Sequence, residues 1–275
     1  MNFFSKTTIS LLNLLLWIML PPIISYAKED RLVFGTLRMD SSEFGFLAVP
    51  DTTFIHENDQ PLLQELEASG RDTSQTGGPH NEFEILFDGT NLNKWTGNTT
   101  DYVVEDGVLV IYPDRGGKGD LFTKEEFGDF IFQFEFQLTP GANNGLGIRA
   151  PLEGSAAFDG IELQIIDNTA EKYKNIEDYQ RHGSVYGVIP AKTGFLKPVG
   201  EWNYQEVVVK GSRIKVVLNG TVILDGDFEA ASKNGTLDGK EHPGLKRKKG
   251  HIGFLGHGDV VRFKNIKVRD LGGEN

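Results

Sequence analysis

The nine residues Phe130-Ile131-Phe132-Gln133-Phe134-Glu135-Phe136-Gln137-Leu138 constrain the fold more than any other stretch of the chain. Phe130, Phe132, Phe134, Phe136 and Leu138 occupy every second position, with Gln133, Glu135 and Gln137 between them. A period of two puts one set on each face of an extended strand, so a second layer must cover the rings while the polar set meets water. Such a stripe reads as core rather than as a ligand platform, because buried aromatics supply much of the packing of a two-sheet sandwich.

The turns support the same architecture. Asp106-Gly107 separates Tyr102–Glu105 from Val108–Ile111, and Asn219-Gly220 separates 214–218 from 222–224. Both are strong hairpin signals. Residues 207–209 form a further strand, and His251–Leu255 and Phe263–Val268 close the chain. Many short strands, few helical patterns and no βα alternation predict an all-β fold: a two-sheet antiparallel jelly-roll sandwich. The turn-rich Lys197–Asn203 reads as an insertion, and Lys246–Lys249 as a solvated basic turn.

The polar chemistry concentrates between Gly141 and Tyr186. In Asn143–Arg149, Leu146 and Ile148 fall on one face of a strand and Gly145, Gly147 and Arg149 on the other. Two glycines beside an arginine leave bare backbone on which a ligand can sit. In Gly160–Asp167, Ile161, Leu163 and Ile165 face a core while Glu162 and Gln164 point away. A one-residue bulge after Gln164 would bring Asp167 beside them. A third strand, His182–Tyr186, would group His182, Ser184 and Tyr186 against Val185. If the three polar faces share a side, Arg149, Glu162, Gln164, His182, Ser184 and Tyr186 line one groove. Residues 171–180 read as a loop or helical turn over it.

The termini and the charge narrow the function classes. Lys6, the apolar block Ile9–Leu20, Pro21-Pro22 and the ending Ser25-Tyr26-Ala27 have the layout of a secretory signal with cleavage after Ala27, too short for a membrane span. Secretion or a periplasmic location follows as an expectation, with no membrane contact after cleavage. Residues 28–80 read as a weakly structured arm and linker, with a hairpin from Arg31–Phe34 and Phe44–Val49 and one helix over Gln60–Ala68. The sandwich is expected over 81–271. A formal charge of −11 argues against nucleic acid and anionic membranes, which need a basic face, and leaves neutral ligands such as sugars. The chain has no cysteine and no closely spaced His pair, which argues against zinc; no cofactor is expected. A structural calcium held by Asp carboxylates and carbonyls would be compatible with the fold but would leave no spacing signature.

Six motifs occur in order between Phe83 and Leu271: Leu86-Phe87-Asp88-Gly89 with Trp95; Gly128-Asp129-Phe130; Pro140–Gly145 with Gly147-Ile148-Arg149; Glu162-x-Gln164-Ile165; His182-Gly183-Ser184-x-Tyr186-Gly187; and Lys197-Pro198-x-Gly200-Glu201-Trp202-Asn203. Together they resemble the 3-keto-disaccharide hydrolase domain family. The resemblance implies a concanavalin A-like jelly roll of the lectin and glucanase type, secreted by bacteria. It also implies cleavage of glycosides whose sugar carries a ketone at C3.

A C3 ketone acidifies the C2 proton, so a base can remove it, the C1 oxygen can leave, and water can add back. That route needs a base, an enolate-stabilising group and an acid, but no carboxylate nucleophile. His182 is the leading candidate base, with Glu162 its rival. Arg149, helped by Lys197 or Tyr186, would hold the enolate oxygen. Asn143, Asn144, Gln164 and Asn203 would fix hydroxyls, and Trp202 would stack on a sugar ring. Asp167, Ser184 and Glu201 complete the expected binding set. His251 and His257, in glycine-rich terminal strands, read as structural. Two alternatives stay open. Glu162, Gln164 and Asp167 echo the spacing of jelly-roll β-glucanases, but a retaining mechanism needs two carboxyls about 5–5.5 Å apart and the central one is missing here. A non-catalytic carbohydrate-binding module would use the same fold without the clustered ionisable set.

Overall fold

The computed structural model describes residues 82–272. These residues belong to one compact unit. The expected signal segment, hairpin and short helix before residue 81 lie outside the described residues.

Thirteen strands follow one another: β1 Glu84–Phe87, β2 Trp95–Gly97, β3 Tyr102–Glu105, β4 Val108–Ile111, β5 Leu121–Phe127, β6 Phe130–Leu138, β7 Asn143–Ala150, β8 Ile161–Ile166, β9 Trp202–Lys210, β10 Arg213–Leu218, β11 Thr221–Asp227, β12 Gly250–Gly256 and β13 Val261–Asp270. A five-residue helix, α1 (Phe228–Ser232), begins where the Asp227 side chain accepts from the Ala230 amide. The strands form two antiparallel sheets. The larger runs β11-β10-β9-β6-β13-β4-β3, with β1 also pairing β13; the smaller runs β2-β5-β12-β7-β8. This is the two-sheet antiparallel sandwich that the strand pattern predicts. Among the described residues no helix is long and apolar enough to cross a membrane.

The aromatic stripe lies on β6, near the middle of the larger sheet, where each of its five apolar side chains is buried. Facing it from the smaller sheet, Phe254 of β12 stacks on Phe263 of β13 at 3.8 Å between ring centroids and meets Phe134 edge-on at 5.7 Å. Trp95 stacks on the same ring at 5.8 Å and donates its indole N–H to the Leu86 carbonyl, so it is buried without an unmet polar group. Both predicted hairpins form. At each tip both residues take positive φ, Asp106 and Gly107 at 49° and 79°, Asn219 and Gly220 at 50° and 84°, which is the backbone a two-residue turn requires.

Three local expectations are corrected. β8 pairs with β7 from Ile161↔Ile148 to Ile166↔Asn143 without a bulge, so Asp167 starts the following loop instead of joining Glu162. His182–Tyr186 is not a regular strand. It is held to the edge of β8 by Gly183 N to Gln164 O, Gln164 N to Ser184 O and Tyr186 N to Glu162 O, and Gly183 at φ 82° breaks the alternation. The insertion before residue 204 partly joins the sheet, because β9 already begins at Trp202.

Truncating Phe134 to Ala empties the volume where both sheets meet. It should lower the unfolding free energy by about 3–5 kcal/mol in urea melts, whereas exposed Lys124→Ala on β5 should stay within about 0.5 kcal/mol.

Candidate active site

On β7 the alternation that sends Leu146 and Ile148 into the core leaves Gly145 and Gly147 on the outer face of the smaller sheet. Glu162 stands opposite Gly147, and its carboxylate swings over Gly145: a Cβ there would overlap Glu162 Oε1. The absent side chain is what makes room for the carboxylate, which is the use of glycine at a close approach. On the other side of β7, Leu255 pairs with Gly145 and roofs Gly147. With Phe122, Ala150 and Ala156 it forms a small apolar cluster separate from the main core.

β12 ends at Gly256, and the next residue, His257, brings its Nε2 within 3.6 Å of Glu162 Oε1. The Glu162 side chain is 5% exposed and that of His257 44%, so the pair is a buried carboxylate under a solvent-facing imidazole. The nearby Glu162 carboxylate raises the His257 pKa above the ordinary histidine value, against the opposing pull of burial, with Asp120 and Asp259 adding to the rise. Asp120 accepts from the Gly256 amide at 3.1 Å, and burial raises its own pKa. Asp259 accepts from the Asn143 amide at 3.0 Å and lies 4.0 Å from Lys172 Nζ. Asn143, sharing the parity of Gly145, has a buried side-chain oxygen without a hydrogen-bond partner among the described residues. These groups can remove a proton, supply one and accept a hydroxyl within one face. Among the described residues no group of three or more His, Asp or Glu side chains is arranged to hold a metal ion.

The expected meeting of Arg149 and His182 with Glu162 does not occur. Arg149, at φ 47° and 1% exposed, ties chain segments together: Nε donates to the Gly128 carbonyl, Nη1 to the Arg247 carbonyl, and Nη2 pairs with Asp129 at 3.1 Å. Arg247 returns a bond to the Arg149 carbonyl. A guanidinium with its donors thus engaged is a staple. His182 points into the interior, 2% exposed, with its ring stacked on Phe136 at 5.1 Å and Nε2 2.9 Å from Gln205 of the opposite sheet. Burial pulls its pKa down to about 4. The turn at Gly183 reverses the side predicted from strand parity.

Most of the remaining expected binding residues also have structural partners. Asn144 lies in the core at 3.5 Å from the Tyr102 hydroxyl. Gln164, beside Glu162 on β8, accepts the Ile165 amide. Asp167 caps its loop by accepting from Gly141 and Thr169, bonds that outweigh burial and lower its pKa. Ser184 donates to the Asp178 carbonyl and accepts the Ala191 amide. Tyr186, at the edge next to Glu162, accepts from Gln180. Trp202 lies on the outer face of the larger sheet under Lys264, 4.2 Å from the ring, so it cannot stack on a sugar held over Glu162. Asn203 accepts from the Lys197 amide and from Asn219, with its amide reaching Glu201. Lys197 and Glu201 are exposed at that end of β9.

His257 and Asp120 are the residues that sequence reading misses. Residues 256–259, Gly-His-Gly-Asp, carry the only usable signal, a titratable pair in a turn that follows a core strand.

Residues 82–269 match the 3-keto-alpha-glucoside-1,2-lyase-like domain. The chain belongs to this family. A 3-keto-disaccharide hydrolase of Bacteroides thetaiotaomicron is 26% identical over 246 residues, 76% of this chain and 85% of that protein. Two crystal structures of provisionally named glycosyl hydrolases from Parabacteroides distasonis superpose with TM-scores of 0.61 and 0.59, at 30% and 25% identity. They cover 70% and 69% of this chain and 100% and 94% of theirs. Within this lyase-like domain, the outer face carrying Glu162 and His257 is where ionisable groups and bare backbone coincide.

The buried His182 gives a pH signature. Its imidazole titrates near 6.5 in the unfolded chain and about 4 in the fold, so the unfolded state takes the proton first as pH falls. Stability should decline from pH 6.5 to about 4 by roughly 3 kcal/mol from this group. Urea midpoints measured across that range should fall less steeply in His182→Leu than in the parent chain.

Proposed function

We propose that the protein cleaves the glycosidic bond of 3-keto-glycosides, with Glu162 as base and His257 as acid. The observation that carries this reading is the Glu162 carboxylate seated over Gly145 with the His257 imidazole 3.6 Å away on the solvent side. Family membership and the named activity of the Bacteroides relative support the substrate class.

In this mechanism Glu162 takes the C2 proton and the electron pair moves through C2–C3 onto the ketone oxygen. The enolate then collapses, the C1–O bond breaks, and His257 gives its proton to the departing oxygen. Water adds at C1 of the unsaturated ketone and gives its proton to the now neutral His257, while Glu162 returns the proton to C2, releasing a 3-keto sugar and the aglycone. A histidine whose pKa is raised by the adjacent carboxylate stays charged to higher pH and suits the acid role. The unpartnered oxygen of Asn143 would accept a sugar hydroxyl. The secretory layout of residues 1–27 fits an enzyme meeting its substrate outside the cytoplasm.

Glu162→Gln and His257→Asn should fold normally and lose about 10²–10⁴-fold in turnover of a 3-keto-glucoside. Gly145→Ala should also lose activity, because the new methyl displaces the carboxylate. Activity of the parent chain should fall on the alkaline side as His257 deprotonates, and His257→Asn should lack that limb. Equal cleavage of the 3-keto-glucoside and its unoxidised parent would sink the elimination route. Saturable sugar binding without turnover would favour a carbohydrate-binding module instead.

A further inference from the structure

A cleft of about 670 Å³ lies between α1 and residues 235–248. Lys233, Lys240, Lys246 and Lys248 line it, against Glu229 and Glu241, and Glu229 is tied to Lys248 at 3.2 Å. Among the described residues Lys233, Lys240 and Lys246 have no carboxylate within ion-pairing distance. These four ammonium groups stand against Glu229, Glu241 and the adjoining Asp238, a small local excess of positive charge in a chain of net charge −11.

His242 also lines this cleft. Its Nε2 lies 3.1 and 3.2 Å from the two Asp238 oxygens, and both side chains are 5% exposed or less. The pair occupies space that Gly187 leaves open, since a Cβ there would approach Asp238 to 2.6 Å. With Nε2 held against Asp238, the other ring nitrogen, Nδ1, has no hydrogen-bond partner among the described residues. The cleft therefore places ammonium groups beside an oriented ring nitrogen that can pair with a hydroxyl.

We propose that this cleft binds an acidic sugar, its carboxylate or sulfate held by Lys240 and Lys246 and a hydroxyl paired with His242 Nδ1. Lys240 Nζ also lies 5.1 Å from the Phe158 ring centroid, and an acidic sugar supplies both a counter-charge for Lys240 and Lys246 and a hydroxyl for Nδ1. The lining of the cleft includes none of the groups of the candidate active site. The proposal does not depend on the role of Glu162.

Calorimetric titration of the full chain with glucuronate, glucose 6-sulfate, inorganic phosphate and glucose tests the site. Saturable binding of either acidic sugar, weakened by added salt and about tenfold by the exposed double substitution Lys240→Gln/Lys246→Gln, is the expected result. His242→Gln should weaken the acidic sugars and leave phosphate unchanged. Glucose binding as tightly as glucuronate, or phosphate binding more tightly than either acidic sugar, would overturn the assignment. So would acidic-sugar affinity that the double substitution leaves untouched.

Discussion

Phe254 is the contact on which the two sheets close. Its ring comes from the smaller sheet and is enclosed by Phe132, Phe134 and Phe263 of the larger one, with Trp95 stacked from the side. Side chains of this size remove large apolar areas from water and prefer offset or edge-on neighbours, so the contact sets both the depth and the register of β12. That register decides what happens on the outside. With Phe254 inward, Leu255 must face outward over Gly147, and the chain leaves the strand with His257 above Glu162. A slip of one residue would send Leu255 into the core and carry the imidazole away.

β7 shows how one strand serves both faces and how its end is secured. Leu146 and Ile148 anchor it from within, and Gly145 leaves the space the Glu162 carboxylate fills. At its far end Arg149 adopts a positive φ and directs its guanidinium to the Gly128 carbonyl, Asp129 and the Arg247 carbonyl. A buried charge needs such complete pairing, because an unpaired guanidinium away from water is costly. The arginine thus holds the strand that positions the carboxylate, and it acts on the site only through the backbone.

Asp129 also accepts from the Gly211 amide, which links the β5–β6 turn to the β9–β10 turn. Much of the polar chemistry in the central segment is of this kind. Asp167, Ser184 and Asn203 meet backbone amides in loops that would otherwise bury unsatisfied donors. Their strength as sequence signals comes from their place in the fold's irregular connections.

Alternation and turn chemistry were legible in the residues themselves. The β6 stripe, the two hairpins, the split of β7 into an apolar and a glycine face, and the outward Glu162 all follow from a side-chain period of two, which is local to the strand. The composition of the site was not local. His182 follows strand parity on paper, yet Gly183 takes a left-handed backbone and turns the imidazole inward onto Phe136. Arg149 and Trp202 carry the right chemistry, but ion pairing with Asp129 and placement on the opposite sheet remove them. His257 lies 95 residues after Glu162 in the chain and reaches it only because β12 is inserted between β5 and β7. The sequence by itself determined which residues form strands and which face each presents to the core. Which polar groups meet was decided by tertiary structure alone, because strand order and loop backbone depend on packing between segments remote in sequence.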